Sequence, residues 1–373
     1  MKKILLPLLF LTLGFSNCKS NKSDDTVKNL FILNTLQNAS KTPTYDWNYI
    51  TVPNSYSTTS LIVAQSKFWI TANTDFGYNA SKGYIFSSTN GITWTQSSYS
   101  GEPLWDIKYL NNQFVAVGGG GSSKAGGIVY TSPDGTTWTK QATISNTIIT
   151  VITSISGNSS YYTISGYGGT SPNYYARSIS TDLVNWTHFV TTNSSLSGGS
   201  SFPAIQTTTT TAGASVISSN SSFIISCPGT CTTSGNWAIS TIDTTSISQQ
   251  YLRELNGTAV IYSTTSSSAA NIYYSVNGAA FTKVTNFTAP VSTLGLSVID
   301  NKFVIPSVAN SGTSNQISFS YSSDGINWKS TTVSMSEGSG SLSLALFASL
   351  NGTYVASNGS RIFYTTSKSI TFP

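Results

Sequence analysis

Charge is scarce in this sequence. Asp, Glu, Lys and Arg make up 8% of 373 residues, against about 25% in ordinary soluble domains. There is one histidine, His188, with three cysteines and two methionines. A single histidine leaves no Ser-His-Asp triad to place, and no cluster of metal ligands is visible. The formal charge of +5 includes Lys2 and Lys3, and the rest of the chain has no Lys/Arg cluster. A nucleic-acid partner is therefore not expected. Gly118 to Gly121 follows a β-prone run but opens no helix, so it makes a poor phosphate loop. No cofactor is implied. Ser, Thr, Asn, Gly and Tyr take the place of charge, with 39% hydrophobic and 12% aromatic residues. That mixture favours short strands and tight turns over surface helices.

Met1 to Cys18 reads MKKILLPLLFLTLGFSNC. Two lysines precede an apolar run, Ile4 to Phe15, that is short for a membrane-spanning helix. Small polar residues and Cys18 follow. This is the form of a secretory signal peptide. FSNC resembles a relaxed bacterial lipobox, which implies lipidation of Cys18. Ordinary cleavage with Cys18 incidental is the alternative. The reading divides the chain into a leader over residues 1–18, a tether over 19–44 and a body over 45–373. Cys227 and Cys231 lie four apart in CPGTC. Such neighbours oxidise to a disulfide in a secreted chain, which leaves the odd Cys18 for lipid.

Repeats organise the body. TSPDGTTWT (Thr131 to Thr139), SSTNGITWT (Ser87 to Thr95) and YSSDGINWK (Tyr321 to Lys329) each follow an apolar, β-prone run. Asp-Gly or Asn-Gly between β runs marks a hairpin, because Gly accepts the positive φ of a tight turn. The carboxylate can accept backbone N–H bonds in the turn, and the Trp can cover it. The Trp position recurs at Trp47, Trp94, Trp138, Trp186, near Ile247, then at Phe281, Trp328 and Phe372. The mean period is about 46 residues, within the range of four-stranded propeller blades. A second series, a turn running into an aromatic or apolar strand start, recurs at Phe68, Phe114, Tyr161, Phe223, Ala259, Phe303 and Tyr354. The expectation is one all-β domain, a seven-bladed β-propeller of four-stranded antiparallel blades. DWNYITV around Trp47 reads as a fourth strand without the preceding three. It is expected to complete the last blade and so close the ring. Irregular spacing around blades four and five leaves six or eight blades open. In blade four, TTTTTAG (Thr207 to Gly213) is expected to be a surface loop or edge strand. The disulfide is expected to clip the loop between that blade's second and third strands.

The turns resemble the Asp box, the bacterial neuraminidase repeat of sialidases and other β-propellers. The matching residues are Ser132, Asp134, Gly135 and Trp138, and again Ser322, Asp324, Gly325 and Trp328. The spacing is one residue shorter than the family pattern. The resemblance implies a propeller whose boxes join third and fourth strands on the face away from the ligand, as structure and not as catalysis. It also raises sialidase chemistry, which uses an arginine cluster, a Tyr–Glu pair and an Asp acid/base. The family's early F-R-I-P motif is absent, and the arginines are only Arg177, Arg253 and Arg361. Arg177 and Arg361 open third strands and could face the ligand side. Arg253 lies in the first strand of blade five and could approach the channel. Ordinary pairing of each arginine with a carboxylate or carbonyl is the competing reading.

Long loops rich in Gly, Ser, Asn and Tyr are expected on the ligand face: Ala72 to Gly83, Gly118 to Gly127 and Gly166 to Ala176. Binding residues concentrate on such loops over a rigid scaffold. The candidate binding residues are Asp75, Tyr78, Glu102, Trp105, Asp106, Tyr174, Tyr175, Arg177, Arg253 and Arg361, and no catalytic residue is assigned. Trp105 beside Asp106 and Glu102 suits sugar stacking and hydroxyl binding. It also suits a core Trp at a capped strand start. The functional expectation is a monomeric lipoprotein of the bacterial outer membrane or cell surface that binds protein or glycan without catalysis. A sialidase-type hydrolase and an envelope assembly factor are the alternatives.

Overall fold

The computed structural model describes residues 44–75, 80–120, 126–145, 147, 149–168, 174–191, 206–210, 215–218, 223–229, 231, 237–242, 247–265, 270–291, 295–311, 314–336, 346–365 and 372. Residues 1–43, which include Cys18 and the expected leader and most of the expected tether, lie outside them. The body forms one unit, Tyr45–Pro373.

Its strands are buried on both faces. Lys67–Asn73 and Gln113–Gly119 are buried from their second residue to their last. A strand with one wet face would alternate polar and apolar, so these sheets are covered on each side. Apart from a short 3-10 turn at Pro53–Ser55, the described elements are all strands. They form antiparallel meanders whose first strands are Ser57–Ala64, Leu104–Leu110, Val151–Gly157, Gln206–Thr209, Ile247–Leu255, Ser297–Ile299 and Leu346–Leu350. These first strands lie against one another in order, and Leu346–Leu350 lies against Ser57–Ala64. The result is a propeller-like arrangement of four-stranded sheets about an axis. Some sheets run together. Val151 pairs with Gly119, which joins two meanders into one eight-stranded sheet, and the meanders starting at Ser297 and Leu346 share another. The strand Thr44–Thr51 pairs antiparallel with Arg361–Thr365, with Trp47 opposite Thr365.

Side-chain alternation builds the core between neighbouring sheets. Phe68, Ile70 and Ala72 pack with Val355 and Ile362 on one side. Trp69, between them in sequence, packs on the other side with Leu104, Ile107 and Phe114. The pattern continues around the axis, where Val260 and Tyr262 meet Phe303 and Ile305, and Phe319 meets Phe347 and Tyr354.

Two kinds of turn hold the meanders. The first joins first and second strands through two residues of positive φ, as at Asn111–Asn112, Asn256–Gly257, Asp300–Asn301 and Asn351–Gly352. That is the turn whose twist matches a hairpin. The second is the box turn, which recurs four times with the same bonds. Ser88, Ser132, Ser180 and Ser322 each donate to the side chain of Asn90, Asp134, Asp182 or Asp324. That side chain accepts two backbone N–H bonds in turn. The Trp Nε1 of Trp94, Trp138, Trp186 or Trp328 donates to a carbonyl of the turn. Bonds from Thr136 and Asn185 hold the Asp134 and Asp182 carboxyls well below the usual range. The box at Asp182 is not evident in the sequence, because Leu183 stands where the others have Gly. Leu183 has φ +65 and its side chain is buried in the core.

The fourth meander departs from expectation. Residues 223–227, expected to form its second strand from Phe223, are third in the order Gln206–Thr209, Ser215–Ser218, Phe223–Cys227, Ala238–Thr241. The Thr run therefore forms an edge strand of its sheet, but one buried at the axis, with Thr210 fully buried. Thr is β-branched and suits a strand, and its hydroxyls find partners. Ser156 Oγ lies 3.2 Å from Thr207 Oγ1 and 2.8 Å from Thr209 Oγ1. The Cys227–Cys231 disulfide accordingly sits between third and fourth strands, and not between second and third.

Candidate functional site

The first strands enclose a cavity of about 600 Å³ along the axis. Thr59 to Val63, Trp105, Asp106 and Lys108 line one part of it. Gln206, Arg253, Ser297 to Asp300 and Leu346 to Ser349 line the rest, with Thr153 and Ser154.

Asp106 is the hub of this wall. Its strand places it between two neighbouring sheets. Oδ1 accepts from Ser60 Oγ, its neighbour Ile107 N and Lys108 Nζ, each at 2.9 Å. Oδ2 accepts from Ser154 Oγ and Ile155 N, each at 3.2 Å. One buried carboxylate thus ties three meanders together, and five donors leave it little capacity for a ligand. A buried charge persists only when it is paired and hydrogen-bonded in this way. Above it in the fold, Asn73 is fully buried and bonds both backbone groups of Leu104, giving one bond and accepting one at 3.0 Å.

Arg253 lies two residues before the end of its strand, half-buried in the cavity wall. Its Nη1 donates to Gln206 Oε1 at 2.8 Å and to Leu252 O at 2.7 Å. Burial lowers its pKa, and Asp106 opposes that shift. Trp105 is partly buried at the cavity lining and donates from Nε1 to Gly119 O at 3.1 Å. Sequence reasoning missed Ser60, Lys108, Ser154 and Gln206. Small polar residues at strand positions are ubiquitous in this chain, and only the contact between first strands singles these out.

Among the described residues, the other candidates do not line the cavity. Glu102 accepts from Lys140 Nζ at 2.5 Å and from Tyr130 OH at 2.7 Å. Burial pushes its carboxyl up, but these two bonds outweigh burial and hold it below the usual range. Arg177, which the sequence allowed to face the ligand side, is buried between sheets. Its guanidinium lies 4.8 Å from the Trp237 ring centre and 5.5 Å from that of Phe189. Burial lowers its pKa to about 10. This placement has a physical cause. A strand residue faces one neighbouring sheet or the other, and here Trp237 lies against it, with Trp237 Nε1 donating to Cys231 O. Arg361 is exposed, 5.3 Å from the Tyr49 ring centre. Asp75 is exposed, two residues beyond the end of the strand Lys67–Asn73. Tyr174 and Tyr175 begin the strand Tyr174–Ser180, while their side chains and all of Tyr78 lie outside the described residues. The three arginines therefore have three separate surroundings. His188 Nδ1 lies 2.7 Å from Ser178 Oγ across two paired strands, but Ser178 is fully buried and beyond a substrate's reach. Among the described residues no three His, Cys, Asp or Glu side chains gather to hold a metal ion.

No protein-family model matches the chain, and no curated protein does. Several solved structures are similar. One is a chain of a mitotic checkpoint complex, with TM-score 0.57 and 10% identity, covering 94% of this chain and 96% of that one. Another comes from a study of two prolyl endopeptidases, with TM-score 0.50 and 9% identity, covering 85% of this chain and 49% of that one. YCF48 bound to a D1 peptide gives TM-score 0.47 and 13% identity over 88% of this chain and 100% of that one. At these identities the likeness concerns the fold alone. Together with the arrangement of the sheets, it makes this chain an all-β protein with a β-propeller fold.

Proposed function

We propose that the chain is a non-catalytic binding module whose protein or glycan ligand docks at the axial cavity. The propeller has seven blades, closed by Thr44–Thr51 on the last, and it is held at the bacterial outer membrane or cell surface by a lipid on Cys18. The seven first strands and the register of Thr44–Thr51 on Arg361–Thr365 support the blade count and the closure. The observation that carries the function is the cavity with its engaged acids. Recognition needs a shaped, partly apolar recess with a few fixed polar groups, and the cavity lining supplies Trp105, Gln206 and Arg253. Sialic-acid hydrolysis needs arginines, a Tyr–Glu pair and a free acid in one place. Here Asp106 and Glu102 are committed to protein donors.

Three experiments test the reading. The full chain in detergent is presented to a glycan array and to envelope extracts, beside a Trp105→Ala variant checked for folding. A discrete ligand whose binding falls at least about tenfold in the variant is expected. Release of sialic acid from a fluorogenic substrate, lost in Arg253→Ala, overturns the non-catalytic reading. For the anchor, Cys18→Ala is expected to leave the detergent phase on partitioning. Unchanged partitioning counts against lipidation.

A further inference from the structure

Arg253 carries more donors than the protein uses. A guanidinium has five N–H donors in a fixed fork. Nη1 is occupied by Gln206 and Leu252. Among the described residues Nε and Nη2 have no acceptor, and the two salt bridges there do not involve Arg253. Neighbouring carboxylates do not take up the surplus. Asp106 is filled by Ser60, Lys108, Ser154 and two amides. Asp300, on the same cavity, accepts from Ser349 Oγ at 2.9 Å and Tyr354 OH at 3.4 Å. Glu254 follows Arg253, so it faces the other side of the strand, where it accepts from Gly257 N. The cavity thus contains a cation with three open donors that is partly stripped of water.

The rest of the lining narrows the ligand. Leu61, Ile62 and Leu346 give apolar wall, with Val63 and Val298 exposed at 38% and 36%. A second negative charge would meet the field of Asp106, so a monoanion is favoured over a phosphate dianion. An arginine fork matches a planar carboxylate by two parallel bonds.

We propose that Arg253 holds the carboxylate of a ligand whose apolar body lies along the wall formed by Val63 and Val298. The proposal rests on the axial cavity being the docking site. The same chemistry belongs to a free fatty acid and to a peptide ending in an apolar residue. The test therefore uses hexanoate and N-acetyl-leucine, each against its neutral amide, titrated calorimetrically into the full chain. The acids are expected to bind at least about tenfold more tightly than the amides, and Arg253→Gln is expected to erase that preference. Arg253→Lys, which keeps the charge without the fork, should fall between them. The tighter of the two acids names the source. Equal binding of acid and amide, no binding of either acid, or a preference unchanged in Arg253→Gln overturns the proposal. If Arg253→Gln does not fold, Val298→Asp serves instead, since a carboxylate on the wall should repel hexanoate at least about tenfold, and undiminished binding there likewise overturns it. A protein or glycan partner captured equally by wild type and Arg253→Gln leaves the docking reading in place and removes the carboxylate site alone.

Discussion

Replacing Gly135 by alanine should cost this protein more than the turn itself explains. Gly135 has φ +75, and a Cβ there would lie 2.1 Å from Cη2 of Trp69. Trp69 is 1% exposed, donates from its ring to Ala64 O at 3.0 Å, and stands 4.5 Å from the Phe114 ring. It has no room to yield. The left-handed backbone costs about 1–2 kcal/mol for a residue with a Cβ. Forcing a methyl into a packed core adds about 1–3 kcal/mol, so a total of about 2–5 kcal/mol is expected. Gly352 provides the control, because it has φ +78 and a Cβ there would meet nothing within 4 Å. Gly352→Ala should therefore lose only the backbone part. Urea unfolding of both variants measures the difference. A double variant, Gly135→Ala with Trp69→Val, should recover part of the loss, since Gly91 and Gly325 face Val355 and Val260 in the same way. Equal destabilisation by Gly135→Ala and Gly352→Ala, or no coupling in the double variant, would refute the close-approach reasoning.

Three further outcomes are expected. Leu183→Ala should destabilise by about 2–5 kcal/mol through lost core packing, and Leu183→Gly should be about 1 kcal/mol better than Ala because glycine relieves the positive φ; chemical denaturation that ranks Ala above Gly refutes this. The box carboxyls have depressed pKa values, about 2 for Asp324 and lower for Asp134 and Asp182. Their stabilisation is thus full above the unfolded value of about 3.9 and is lost as pH falls through the folded values. Replacing all three by Asn, the residue already present at Asn90, should flatten the stability profile between about pH 5 and pH 2, and a profile parallel to wild type counts against the assignment. Thiol labelling without reductant should leave Cys227 and Cys231 unmodified, and full labelling of both contradicts the disulfide.

The propeller-like fold is legible because its turns use residues with narrow conformational roles. Asn-Gly, Asn-Asn and Asp-Asn pairs mark positive φ, and Ser-x-Asp-Gly with a following Trp marks the box. The fourth meander misleads for the converse reason. Its third strand begins at Phe223 with the same polar-turn-then-aromatic signal that starts second strands elsewhere, while its first strand is a run of threonines that local pattern cannot tell from a loop. The site is less legible than the fold. Arg253 and Trp105 stand out in the sequence and do line the cavity. Arg177 stands out by the same logic and is sandwiched between aromatic rings, since its surroundings depend on Trp237, sixty residues away in the chain. Whether a polar side chain is spent on its own scaffold, as Asp106 is, depends on neighbours that no local spacing reveals.

The contact between the first meander and the last has a kinetic consequence. Thr58 N donates to Gly359 O, and Thr58 Oγ1 donates to Ser357 Oγ, a partner 299 residues away. Most other pairings in the molecule join strands adjacent in sequence, which form with short loop closures. This one must wait until nearly the whole chain has been ordered, because the entropy of closing so long a loop is recovered only when the intervening sheets already bring its ends together. Refolding should therefore have its slowest packing step here. Until it occurs, the apolar faces of Phe68 and Val355 stay open to solvent, which makes the nearly complete arc the species most prone to associate with its own kind.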